Sequence, residues 1–167
     1  TKNINPIEIK EKFFTNFNYI KKINFFLNKK KIECVEIHNR PEYAKYLIKN
    51  NPNLKINLIF HNDPNNIRNS QTNFDKLYLL RNCNNISFVS NWVKKQFFKN
   101  LNFFHKNNTN VIYNFIDSLK KLPKKNNTII FAGKLNKSKG YHIFCKVINK
   151  ILTKYNDWSA IVVGNET

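Results

Sequence analysis

The sequence predicts an α/β fold in which helices flank a parallel sheet. Three observations carry this expectation. Short apolar runs rich in Ile, Leu, Val and Phe recur along the chain, and longer stretches with helical periodicity separate them. The runs end at His38, His61, Ser90, Asn114 and Gly133, residues suited to the loops that follow parallel strands. The segment IIFAGKLNKSKG (129–140) then joins a strand to a helix through a basic turn. Strands alternating with helices imply a parallel sheet covered on both faces, with ligands beyond the carboxyl ends of the strands.

The elements follow in order. A helix is expected over 7–29, with Phe13, Phe14, Phe17, Ile20 and Leu27 on one face. Residues 32–37 form a strand that ends at His38. Pro41 opens a helix to about Lys49, because a first-turn residue needs no N–H. Asn50-Asn51-Pro52-Asn53 breaks it. Residues 55–60 are a second strand, 62–71 a loop and 72–82 a helix, with Thr72 and Asp75 as its capping pair. Residues 86–89 form a third strand, and Ser90 or Asn91 caps a helix to about Leu101. Residues 110–113 form a fourth strand, and 114–127 a polar link. Residues 128–132, a helix from about Gly140, and 159–163 complete a βαβ unit. Ile143, Phe144, Val147, Ile148, Ile151 and Leu152 share one face of its helix.

Composition excludes some classes. The net charge is +19, but all 29 basic residues except Arg40, Arg68 and Arg81 are lysine, and they are scattered. Lysine, asparagine, isoleucine and phenylalanine share A/T-rich codons, which accounts for much of the charge. Readers of nucleic acid use the arginine fork, so no specific nucleic-acid partner is expected. Attraction to anionic lipid headgroups fits the charge. No apolar run approaches the ~18–20 residues that span a bilayer. Cys34, Cys83 and Cys145 lack Cys-x-x-Cys spacing, and the reading is three reduced, buried thiols.

The basic turn carries the chemistry. Lys134 and Lys139 flank it, and Gly133 and Gly140 allow close backbone approach. Ammonium and N–H groups gathered at one point suit a diphosphate. Upstream, VEIHNRP (35–41) and LKINLIFHND (54–63) each end a strand at a histidine, and ISFVSNWVKKQF (86–97) and VIYNFID (111–117) follow. In this order the pieces resemble family 4 of the two-Rossmann-domain glycosyltransferases, over roughly residues 33–167. The closest similarity is to the branch with His-Asn-Arg-Pro and His-Asn-Asp-Pro in envelope and spore-coat polysaccharide enzymes.

The resemblance implies a Rossmann-like, partial GT-B architecture. Residues 1–121 would form an acceptor-side domain incomplete at its start, and 122–167 the beginning of a nucleotide-sugar-binding domain. A family member is about twice this length, so the chain reads as a fragment, inactive by itself. The implied activity is retaining, metal-independent sugar transfer from a nucleoside-diphosphate donor to a lipid-linked or polysaccharide acceptor. It needs no cofactor, and it takes place in the cytoplasm or at the inner face of the membrane.

Residue by residue, the resemblance assigns the donor diphosphate to Gly133, Lys134, Lys139 and Gly140. Lys134 stands where the family has arginine. It assigns the catalytic position near the transferred sugar to His61; by their place at or after the two histidine-ended strands, His38, Asn39, Arg40, Asn62, Asp63 and Arg68 are candidates for acceptor or cleft contacts. Asn114 and Asp117 match an interdomain hinge, although Tyr113 and Phe115 replace its proline and glycine. No Asp-x-Asp pair is placed for a metal, and two histidines without a third ligand make no metal centre. The alternative from another class is a basic Rossmann-like module that binds nucleic acid or another polyanion without catalysis.

Overall fold

The computed structural model describes residues 16–101, 108–117 and 124–165. The chain divides into two compact units, residues 1–116 and 117–167.

In the first unit, α1 (Asn16–Lys29) precedes β1 (Cys34–His38), α2 (Pro41–Asn50), β2 (Lys55–Phe60), α3 (Asn73–Asn82), β3 (Asn85–Phe88), α4 (Asn91–Phe98) and β4 (Thr109–Val111). The four strands form one parallel sheet in the order β1-β2-β3-β4. Helices alternate with these strands, and α2 packs on β1 and β2 while α4 packs on β3. This is a Rossmann-like α/β arrangement, as the alternation predicted. Residues 7–15 of the first expected helix lie outside the described residues. Strand β1 begins at Cys34 instead of Ile32, and α4 stops at Phe98, short of Leu101.

Local chemistry explains the helix starts. Pro41 sits in the first turn of α2. Thr72 caps α3 through a full capping box: its hydroxyl accepts from the Asp75 N–H at 3.1 Å, and the Asp75 carboxylate accepts from the Thr72 N–H at 3.3 Å. Ser90, not Asn91, caps α4, accepting from the Val93 N–H at 3.2 Å.

Along β2, Ile56, Leu58 and Phe60 are buried while Lys55, Asn57 and Ile59 are exposed or half-buried, so the period-2 alternation separates a well-covered face from a less covered one. Phe60 and Phe88 are register partners on adjacent strands, with rings 5.9 Å apart, and Phe97 from α4 packs 5.5 and 5.3 Å from them. Cys83 lies in this core. Cys34 and Cys145 are exposed, which corrects the expectation of three buried thiols: a small apolar side chain at a strand edge or on a helix surface need not face the core.

The second unit holds β5 (Thr128–Ala132), α5 (Tyr141–Lys154) and β6 (Ser159–Val163), with β5 and β6 paired in parallel. This is the expected βαβ unit. Within it no residue of α5 is fully buried: Phe144, Ile148, Ile151 and Leu152 are half-covered, and Ile143 and Val147 are exposed. Two strands offer too little surface to bury a four-turn apolar face.

Candidate functional site

The carboxyl edge of the first sheet brings His61 to Glu36 and His38, which lie more than twenty positions earlier. His38 ends β1 and His61 follows β2 directly. His38 Nδ1 and His61 Nε2 are 2.8 Å apart, and His38 Nε2 is 2.7 Å from Glu36 Oε1. Glu36 and His38 are two residues apart on one strand, so they project to the same face. Asn39 ties the two strand ends together. Its N–H donates to the Ile59 carbonyl at 2.9 Å, and its side-chain oxygen accepts from the His61 N–H at 2.8 Å. Its φ of 50° is left-handed, a conformation that asparagine tolerates better than most residues. Arg40 is exposed and donates to the Asn39 carbonyl at 3.3 Å. Beside it, the Tyr43 hydroxyl is pushed up by burial and by Glu42, against the opposing effect of Arg40. Glu36, His38, Arg40 and Tyr43 line an open groove of about 250 Å³ bounded by α1, β1 and α2.

The loop after His61 is a built structure. Pro64–Asn66 forms a 3₁₀ turn, and Asp63 caps it by accepting from the Asn65 N–H at 3.0 Å and the Asn65 amide at 2.9 Å. Ser70 is fully buried, its hydroxyl 2.7 Å from the Pro64 carbonyl. One oxygen of Asp63 is therefore occupied internally. Asn62 and Arg68 remain exposed and open to a ligand.

Lys76 of α3 holds the loop from beneath. It is 1% exposed, and its ammonium donates to Asn65 Oδ1 at 2.7 Å and lies 5.8 Å from the Phe97 ring centre. Sequence reading missed it, because a lysine in a lysine-rich chain looks solvated. Burial lowers its pKa, with the nearby Asp63 charge opposing the shift. The folded protein thus holds this proton less tightly than the unfolded chain. The resulting destabilisation is complete below the folded pKa and vanishes as pH rises to the unfolded value near 10.5. The stability difference between wild type and Lys76→Met should therefore move in favour of wild type as pH rises from neutral towards 10.5. Urea melts of both proteins across that range read it; a pH-independent difference would exclude it.

In the second unit, Gly133 follows β5 and begins the basic turn. Its N–H donates to the Val163 carbonyl at 2.9 Å, and the Leu135 N–H donates to the Asn165 carbonyl at 3.1 Å. Residues Lys137–Lys139 form a 3₁₀ turn capped by Asn136, which accepts from the Lys139 N–H at 3.2 Å and the Ser138 hydroxyl at 2.8 Å. Lys134, Lys137 and Lys139 are all exposed on this turn. Gly140 leads into α5 with φ 74°, in open space. It is required for its backbone conformation and not for close approach.

The close approach belongs to Gly164, which sequence reading did not single out. A Cβ there would lie 1.8 Å from the Gly133 carbonyl oxygen and 2.9 Å from its carbon. Backbone, unlike a side-chain tip, cannot swing away. Gly164→Ala should force the carboxyl ends of β5 and β6 apart and destabilise the second unit by about 1–3 kcal/mol. Thermal melting followed by Trp158 fluorescence tests this, and an unchanged midpoint would show that the strand ends yield freely.

Asn114 and Asp117 are exposed in an irregular segment, the one closing the first unit and the other opening the second. His105 lies outside the described residues, and His142 is exposed on α5. Among the described residues, no group of three or more His, Cys, Asp or Glu could hold a metal ion, and no helix is long and apolar enough to cross a membrane. The fold and its strand-end groups define a Rossmann-like α/β protein with polar and cationic loops at the carboxyl ends of parallel strands. A scan against protein-family models and a search of curated proteins both find no match to this chain.

Proposed function

We propose that the chain carries part of the active site of a retaining, metal-independent glycosyltransferase of the GT-B type. It would move a sugar from a nucleoside diphosphate to a lipid-linked or polysaccharide acceptor at the cytoplasmic face of the membrane. The observation that carries this reading is the turn 133–140, where glycine, exposed lysines and the start of a helix follow a parallel strand. Charge that develops on a leaving diphosphate is stabilised by such fixed positive groups without a metal. Lys134, which replaces the family arginine, keeps the charge without the bidentate fork. Retention of configuration follows from the sequence resemblance.

A second reading is favoured by the net charge of +19: a basic module that binds a polyanion without chemistry. Transfer from a labelled nucleoside-diphosphate hexose to a lipid-extract acceptor, assayed with the full-length protein that contains this sequence, separates the two. The expected result is transfer that persists in EDTA. A strict requirement for Mg²⁺ or Mn²⁺ would overturn the metal-independent mechanism. Salt-sensitive polyanion binding with no nucleoside-diphosphate affinity would establish the second reading.

His61→Ala is expected to lower turnover about 10-fold while leaving donor affinity within a factor of two, the effect of a hydrogen bond of ~1.4 kcal/mol made to the reacting sugar. Weakened donor affinity with turnover unchanged would place His61 in ground-state donor binding instead.

A further inference from the structure

We infer that Glu36 and His38 are positioning residues that set the tautomer of His61, so that His61 Nδ1 faces a ligand as an acceptor for a hydroxyl hydrogen. The hydroxyl class rests on the reading that His61 faces a sugar; the tautomer assignment does not.

The direction of the chain follows from its fixed end. A carboxylate can only accept hydrogen bonds. Glu36 Oε1 lies 2.7 Å from His38 Nε2, so His38 carries its proton there and donates it. A neutral imidazole with Nε2 protonated has a lone pair on Nδ1. His38 Nδ1 is 2.8 Å from His61 Nε2, so His61 must supply the proton of that bond. His61 then holds its proton on Nε2, and its Nδ1 is a lone pair. Among the described residues no hydrogen bond reaches His61 Nδ1, while the His61 N–H is held by Asn39 Oδ1. The backbone and one ring nitrogen are fixed, and the remaining nitrogen is an acceptor.

This sets a chemical preference. A lone pair on Nδ1 pairs with a hydroxyl and repels a phosphate oxygen, which has no proton to give. The Glu36 carboxylate acts on His61 through the His38 ring, much as carboxylates orient histidines at metal centres. Neither histidine motif alone contains this information, because the bond between the two rings joins the ends of two strands.

The test uses the 167-residue protein with ¹⁵N-labelled histidine, studied by NMR at about pH 8.5, above the usual histidine titration range. The expected result is a proton on His61 Nε2, an unprotonated His61 Nδ1, and a scalar coupling between His61 Nε2 and His38 Nδ1 across their hydrogen bond. Glu36→Gln leaves the shape intact at a side chain 57% exposed, so the fold should tolerate it. An amide offers either a donor or an acceptor to His38. The variant should lose the single tautomer and weaken or abolish the coupling. A proton on His38 Nδ1 in the wild type, an absent coupling, or a Glu36→Gln spectrum identical to wild type would each overturn the assignment. Absence of sugar transfer would instead sink the glycosyltransferase reading while leaving the measured tautomer in place.

Discussion

Phe97→Ala should destabilise the first unit by about 3–5 kcal/mol, a large part of the ~5–15 kcal/mol that holds a domain together. Phe97 is fully buried and packs against Phe60, Phe88 and Phe98, with ring centres 5.5, 5.3 and 5.2 Å away. Phe60 and Phe88 are held by the strand ladder, so they cannot move in to fill the space. The Lys76 ammonium would also lose the ring beneath it, and with it part of the support for the loop after His61. Urea unfolding followed by Trp92 fluorescence, in a Trp158→Phe background that silences the second unit, measures the loss. Phe97→Leu should cost much less, since it keeps most of the volume. A loss below about 1.5 kcal/mol for the alanine variant would show that the cluster collapses around the gap.

Under the proposed glycosyltransferase reading, Lys139→Ala should lower sugar transfer by about 10²-fold, the cost of removing one preorganised group that stabilises charge. The structure makes this a clean substitution. The Lys139 backbone is held by Asn136 through its own N–H, and the side chain is exposed, so alanine removes the charge without moving the turn. Lys139→Arg should recover part of the activity, because it restores the charge. Nucleoside-diphosphate affinity measured by calorimetry should fall in the alanine variant along with transfer. Full activity would return Lys139 to the solvated surface.

The elements were legible because their signals are local. A parallel strand shows its apolar run, Pro41 its helix start, Ser90 and Thr72 their caps, and Asn50-Asn51-Pro52 its break, all within a few residues. The ends were less legible. Strand β1 starts two residues late and α4 ends three residues early, because pairing and packing, not propensity, set those limits. The candidate positions His38, His61, Lys134 and Lys139 were visible for the same local reason: each stands at or just beyond the carboxyl end of a readable strand.

Sequence alone determined the alternation of strands and helices, and with it the parallel sheet and the edge where its candidate site residues collect. Tertiary structure decided what those groups do to one another. Glu36, His38 and His61 form one hydrogen-bonded chain only because parallel pairing sets β1 beside β2. Lys76 is buried, with its ammonium bonded to Asn65, only because the loop folds back over α3. Gly164 must be glycine because the Gly133 carbonyl, 31 positions earlier, occupies the space of its Cβ. Periodicity and capping act along the chain over a turn or two, whereas these contacts act through space between segments that sequence separation does not relate.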